Sequence, residues 1–526
     1  MVISSPGKGH RPLSTSPPRL DSLPDDVLGI IFGHLGIDEL VNLRLVGRGL
    51  SDRVLHLGLP RYLSSHRQSH LTLHPSSFAW SPYQLVQHNH LINRSLTQHE
   101  WHALQIGSTW IQPVIPTLHL TSDRLILGVG GKLLSHPLYP PRSTISSHGG
   151  RGKVVGKARE FPISPRGVGS RADIVGVVDL HDNQGSLAVA QFNGTIQRLS
   201  LPEAGPSIPR ITARYSHPRG KESIHTVTGS EGGQMMMTTT SSGSAYLYTN
   251  TRSPWTEPSS IKLSSNRAWS SLLVSSHPTL SPTAMIGVQG SIEFHDILPT
   301  GLQQTVSRRI LGPDLPLTSS PYDIHLPPLD GSSSHHPSLL LSAWYDSHLR
   351  LHDLRTPSTT PVGVFMDPYT WADGSAFYST CFVGEHHIAG GGSRHGTVAF
   401  FDIRNSKKGW SCFSPGGKGS PVYSLRGEGG KVWGVTERRA FVLAFDGSGD
   451  VEDGLVLPEA RNVGLGAGGV RNGRDRDRGR HVPSGWKGRG GKWAWTVRYD
   501  EEEGSKAVGY EHRERGVTLF DSLAVA

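Results

Sequence analysis

The sequence predicts a mainly β chain: a β-propeller of seven or eight blades preceded by a small all-α module. Three observations carry this. Short apolar runs rich in β-branched and aromatic residues fill most of the chain, and 63 glycines and 37 prolines punctuate them as turns do. The runs come in sets of three, one set about every forty to seventy residues, as expected of stacked repeat units. Ahead of them stands one compact stretch with helical periodicity, LPDDVLGIIFGHL, from Leu23 to Leu35.

In that stretch Val27, Leu28, Ile31, Phe32 and Leu35 recur at helical spacing and form one broad apolar stripe. Pro24 is tolerated because first-turn N–H groups have no intrahelical acceptor, and Asp25 and Asp26 set negative charge at the positive end of the helix dipole. A second amphipathic segment follows, with Leu40, Leu43, Val46 and Leu50 three or four apart. Two helices this short are not stable alone in water, so the stripe needs a cover. The pattern L-P-x-D-V-L-x-x-I-F-x-x-L followed by L-x-x-L-R-L-V resembles an F-box over residues 21–63. Asp26 stands where the family usually has Glu, and Gly47 and Gly49 stand where bulkier residues are usual. The resemblance implies docking on a Skp-type adaptor, and through it on a cullin, with Leu23, Pro24, Leu28, Ile31, Leu35 and Leu43 forming the contact.

Residues 1–20, rich in Pro and Ser, read as a disordered N-terminus, and residues 64–110 as a helical linker carrying Trp80, Trp101 and Trp110. The propeller is expected over 111–526. Its eight candidate units begin at IPTLHLT, DIVGVVD, SIHTVTG, AWSSLLV, PYDIHLP, FYSTCFV, VYSLRGE and AWTVRYD. Each would be a small antiparallel sheet with two apolar faces, which only stacking around an axis can bury. A strand from before Ile115 is expected to close the ring, because an unpaired edge is otherwise left at the last blade. Gly/Pro/Ser-rich stretches near 140–170 and 447–492 read as disordered insertions. The endings FHDIL, LHDLR and FFDIR resemble WD repeats with the Trp replaced, Asp296, Asp353 and Asp402 holding the Asp place.

Aligning the first strands exposes a variable place held by Val175, His225, Trp269, Tyr322, Tyr378, Tyr423 and Trp495. By resemblance to WD propellers this place lies at the channel mouth. With Arg267 beside Trp269, the aromatic and His members form the candidate target-binding set, since aromatic side chains dominate binding hot spots. The competing reading, that they pack between blades as core, stays open here.

The chemistry of catalysis is not visible. There is no G-x-S-x-G, P-loop or H-E-x-x-H, and GLGAGG at 464–469 lies in a Gly-rich stretch rather than after a strand. No cofactor and no metal site is expected. Two cysteines, Cys381 and Cys412, cannot build a disulfide framework and suit a reducing compartment. No apolar run is long enough to span a bilayer and no secretory leader is visible, so a cytoplasmic or nuclear chain is expected. Net charge is +9, concentrated in RNGRDRDRGRHVPSGWKGRGGK, whose interleaved Asp residues weaken its field. The leading expectation is a non-catalytic substrate-recognition subunit of a Skp–cullin–F-box ubiquitin ligase that holds a protein target on the propeller. The alternatives are a WD-type scaffold without ubiquitin transfer, or a nucleic-acid-associated propeller that uses the Arg/Gly stretch.

Overall fold

The alternating and continuous apolar runs form sheets, and the turns between them carry the glycines. The computed structural model describes residues 20–65, 78–139, 154–164, 170–182, 185–202, 208–217, 222–313, 319–328, 335–371, 374–415, 420–448 and 509–512. The expected insertions fall largely outside these residues, as do Trp495 and the expected N-terminal tail.

Seven antiparallel sheets make a seven-bladed β-propeller. From the axis outward, blade 1 runs Thr117–Leu120, Arg124–Val129, Lys132–Pro137 and Arg159–Pro162, and blade 2 runs Ile174–Asp179, Ser186–Gln191, Ile196–Ser200 and Arg210–Arg214. Blade 3 is Ile224–Gly229, Met236–Thr240, Ser244–Tyr248 and Ser259–Lys262; blade 4 is Ser270–Val274, Thr283–Val288, Ser291–Leu298 and Gly301–Leu311. Blade 5 is Pro321–His325, Leu339–Trp344, Leu349–Asp353 and Gly363–Phe365. Blade 6 is Phe377–Val383, His387–Gly392, Thr397–Asp402 and Asn405–Phe413, with Gly509–His512 as a fifth strand. Blade 7 is Val422–Glu428, Lys431–Thr436 and Ala440–Ala444, completed on its outer edge by His102–Ile106. Neighbouring inner strands touch all the way round, from blade 1 to blade 7 and back to blade 1.

The count is therefore seven. The described part of the eighth candidate unit, Gly509–His512, adds to the edge of blade 6 rather than forming a blade of its own. His102–Ile106, placed in the linker by the sequence, pairs antiparallel with Ala440–Ala444, and this strand from before Ile115 closes the ring. The Asp residues at the ends of two third strands are gripped by the Arg two residues on: Arg355 Nη2 donates to Asp353 at 2.7 Å and Arg404 Nη2 to Asp402 at 2.6 Å. The Arg355 fork holds the Asp353 carboxyl down at about 2.

Before the ring lie α1 (Asp25–Gly33), α2 (Ile37–Val46), α3 (Arg48–Arg53), α4 (Leu59–Ser65) and α5 (Pro82–Gln98), with a single π-turn at Val54–Gly58. α5 starts where a capping box forms: Gln84 N–H donates to Ser81 Oγ at 3.3 Å and Ser81 N–H to Gln84 Oε1 at 2.8 Å, with Pro82 preset for the first turn. It ends at His99, in the left-handed conformation with φ 57°.

α5 belongs to two cores. Leu85 and Val86 pack with Leu28, Phe32, Leu40, Val54, Leu59 and Leu63 of the helical module. Two to three turns later, Ile92 and Leu96 are wholly buried among side chains of blades 6 and 7, beside the Trp101–Trp410 stack. The inner turns of those blades make room by having glycine there. A Cβ on Gly384, whose φ is +55°, would lie 2.6 Å from Leu96 Cδ1, and one on Gly430 would lie 2.6 Å from Ile92 Cγ1. Asn93 fixes the rotation, donating to Glu385 Oε2 at 2.8 Å and accepting from the Glu385 N–H at 3.2 Å.

Burial also sets a pH response. It pushes His88, His119, His352 and His387 down to about 4 and His335 to about 3. An unfolded His titrates near 6.5. Between those values the unfolded chain binds more protons, so stability falls as pH drops below about 6.5, each such His contributing about 1.4 kcal/mol per pH unit until its folded pKa is reached. We expect the melting temperature to fall steeply from pH 6.5 to 5; a flat profile there would contradict buried neutral histidines.

Candidate functional site: the aromatic mouth

The variable place of the repeat is a β-bulge. In blades 2, 3, 5, 6 and 7 the register between first and second strands skips one residue, and that residue is Val175, His225, Tyr322, Tyr378 and Tyr423. An extra residue in one strand bends it and re-aims a side chain out of the pleat. The flanking residues stay in the core: Ile224, Phe377 and Val422 are wholly buried, whereas the bulge residues between or beside them are half-buried. In blade 4 the place is Trp269, just ahead of the first strand and tied by its backbone N–H to Gly287 O at 2.8 Å.

The bulges bring most of the expected set together. Trp269 and Tyr322 lie 4.9 Å apart between ring centroids, Tyr322 and Tyr378 stack at 4.8 Å, and Tyr378 and Tyr423 stack at 6.1 Å. Arg267, exposed, caps one end with its guanidinium 3.7 Å from the Trp269 centroid. Tyr345, which the alignment of first strands passes over because it sits in the turn after the second strand, stacks on Tyr322 at 5.8 Å. His225 stands apart, stacked on Phe192 at 6.2 Å, its pKa lowered by burial and by the Arg267 charge. Val175 packs against the core of blades 2 and 3, and Trp495 lies outside the described residues. None of Trp269, Tyr322, Tyr378 and Tyr423 belongs to a core cluster of the described residues.

The hydroxyls separate these tyrosines from the structural ones. Tyr215 donates to Thr251 O at 2.7 Å and Tyr248 bonds His217 Nδ1 at 2.9 Å, both buried. Among the described residues, the hydroxyls of Tyr322, Tyr378 and Tyr423 have no hydrogen-bond partner, and none is a buried atom. Burial of the rings raises all three phenols, Tyr322 to about 12, so they stand as neutral donors. Below the row, Asp323 Oδ2 accepts from Thr380 N–H at 2.9 Å and lies 3.0 Å from His325 Nε2, linking blades 5 and 6 under the mouth.

Each inner strand starts at the mouth and ends at its turn into the second strand. Gly384 and Gly430, in two of those turns, carry α5, so the helical module sits on the face opposite the aromatic row. Within the module the expected contact residues divide. Leu28 is wholly buried in the module's own core, and Leu23, Leu35 and Leu43 pack partly against it. The stripe read from two helices already has a local cover, because α4 and α5 supply Leu59, Leu63, Leu85 and Val86. Ile31 is half-buried and Pro24 is exposed. The large apolar side chains left in solvent are their neighbours: Ile30 is 62% exposed, Leu45 81% and Val46 71%, with Val27 and Val41 exposed about one helical turn earlier.

Other groupings have structural partners. A cavity of about 340 Å³ at the joint of module and propeller is lined by His90, Asn93, Arg94, Glu385, His386 and Arg404, but Asn93 is spent on Glu385, Arg94 on Gln98 and Arg404 on Asp402. Ser411 donates to Asp367 Oδ2 at 2.8 Å and lies 2.8 Å from His512 Nε2, yet all three are buried and the serine proton faces the carboxylate rather than the imidazole, unlike a hydrolase triad. Among the described residues no group of three His, Cys, Asp or Glu gathers to hold a metal, and no helix is long and apolar enough to cross a membrane. No protein-family model matches the chain, and no curated protein matches it.

Proposed function

We propose that the chain is a substrate-recognition subunit of a Skp–cullin–F-box ubiquitin ligase, the helical module docking a Skp-type adaptor and the propeller mouth holding the target. The coarser statement, that a β-propeller with a helical module is an interaction scaffold, needs only the fold. The observation that carries the finer one is the placement of Ile30, Leu45 and Val46 in solvent on α1 and α2, the helices whose sequence resembles an F-box. Several large apolar side chains exposed on one small module fit a contact surface. Pro24 and Ile31 would extend it, with Leu23, Leu35 and Leu43 at its base, while Leu28 would shape the helix from inside. The proposed role is proximity: a rigid body carries the target to a ubiquitin-loaded enzyme and performs no chemistry itself.

Ile30→Asp combined with Leu45→Asp puts two charges on that surface without touching the core, so the fold should survive. The expected result is loss of co-purification with a Skp-type adaptor, with an unchanged circular dichroism spectrum; retention of the adaptor would overturn the reading. Trp269→Ala and Tyr378→Ala should do the opposite, keeping the adaptor while weakening target capture. Loss of an aromatic hot spot typically costs about 2 kcal/mol or more, roughly a thirtyfold change in affinity.

A further inference from the structure

The tyrosines of the mouth stack on one another, and this decides which part of each ring a ligand meets. A ring's face is its negative side and its edge its positive side. Here most of the faces are used within the row: Tyr322 has Tyr378 on one side and Tyr345 and Trp269 nearby, Tyr378 has Tyr423 as well, and Trp269 is covered by Arg267, while Tyr345 and Tyr423 each stack on one neighbour. What remains for a partner is a line of ring edges and unpartnered O–H donors. The charges around it run the same way. Arg267 has no carboxylate partner among the described residues, and Arg171, Arg394 and Arg438 are exposed on the same side of the disc. Of the carboxylates there, Asp346 is forked by Arg350 at 2.9 and 2.5 Å, Glu222 accepts from Thr240 and Tyr246, and Asp367 is buried, which leaves the half-buried Asp173 and Glu437, the latter beside Tyr423.

We propose that this mouth selects a carboxylate-rich peptide segment, its Asp or Glu side chains accepting from the tyrosine hydroxyls and from Arg267. The proposal rests on the reading of the mouth as the target site and adds the chemistry of the target. Nucleic acid fits less well: bases bind single-strand platforms by stacking on open aromatic faces, and here most faces are taken by neighbouring rings.

The test uses the full chain and a labelled peptide of alternating Glu and Ala, with Gln/Ala and Lys/Ala peptides and a single-stranded oligonucleotide as separate arms, read by fluorescence anisotropy. The Glu peptide should bind more tightly than the other three, and its affinity should fall as salt rises. Arg267→Glu should weaken it by about tenfold or more, a reversal of charge at an exposed position that leaves the fold intact. Tyr378→Phe, which removes only a hydroxyl, should weaken it by about fivefold. Equal binding of the Gln peptide, tighter binding of the oligonucleotide, or indifference to Arg267→Glu would each overturn the proposal. If Trp269→Ala abolishes target capture while the Glu peptide has no advantage, the mouth is the target site but selects on other grounds. If the Glu peptide is preferred and Arg267-dependent while target capture survives Trp269→Ala, the acid selectivity stands and the reading of the mouth as the target site falls.

Discussion

Leu104→Asp will abolish the single cooperative unfolding transition of the propeller. Leu104 is wholly buried at the centre of the closing strand, opposite Val442 and packed among Trp433, Val435 and Ala440. A carboxylate there has no cation to meet, and burying such a group without a partner is among the few single changes that remove about 4 kcal/mol or more. Because the strand joins the first part of the ring to the last, the loss falls on all seven blades rather than on one. Leu104→Ala grades the effect at about 2–5 kcal/mol. Calorimetry of the two variants is the check: a melting temperature for Leu104→Asp equal to that of the parent would show that His102–Ile106 does not close the ring in solution.

Lys431→Met will destabilise the fold by about 3–5 kcal/mol, although methionine fills nearly the same space. Lys431 Nζ is paired with Asp446 inside blade 7 beneath α5, both side chains almost wholly buried. Burial by itself would raise the Asp446 carboxyl, but the Lys431 ammonium and His88 hold it down at about 2. Burial would likewise lower Lys431, and Asp446 and Glu428 raise it instead. Methionine leaves the carboxylate buried with only the Ser448 donors and no ammonium beside it, so its pKa should rise and the deficit should shrink as pH falls through the carboxylate range. Adding Asp446→Leu should restore most of the loss, since an apolar pair needs no desolvation. A double variant as unstable as Lys431→Met would show that the damage is packing rather than charge.

Seven of the eight units read from the sequence correspond to blades because their first three strands are short, largely apolar runs broken by turns, a pattern visible residue by residue. The outer strands were not visible. Ser259–Lys262 and Gly363–Phe365 are short and half-exposed, and Arg159–Pro162 follows a long connection, so only their pairing partners identify them. The closing strand HALQI has ordinary strand composition but pairs with residues more than three hundred positions away, which no local pattern encodes. The eighth unit failed for the complementary reason: its local pattern is that of a strand, and the described piece pairs with the edge of blade 6. In the mouth, the shared phase of Tyr322, Tyr378 and Tyr423 was legible because a bulge recurs at one place in each repeat, while Tyr345 was not, since turn residues keep no such phase. In the helical module the apolar stripe was legible, but which side faces solvent was not, because α4 and α5 supply its cover from later in the chain.

The closing strand also sets a clock on synthesis. Ile106 pairs with Ala440, about 330 residues later, and a ribosome adding about 5–20 residues per second takes roughly a quarter of a minute to a minute to cover that distance. For all of that time Ala103 and Leu104 are outside the exit tunnel with no partner, and each new blade docks on one that has a neighbour on one side only. The ring therefore stays open, its apolar strand edges unpaired, until Ala440–Ala444, the third strand of the last blade, has been released.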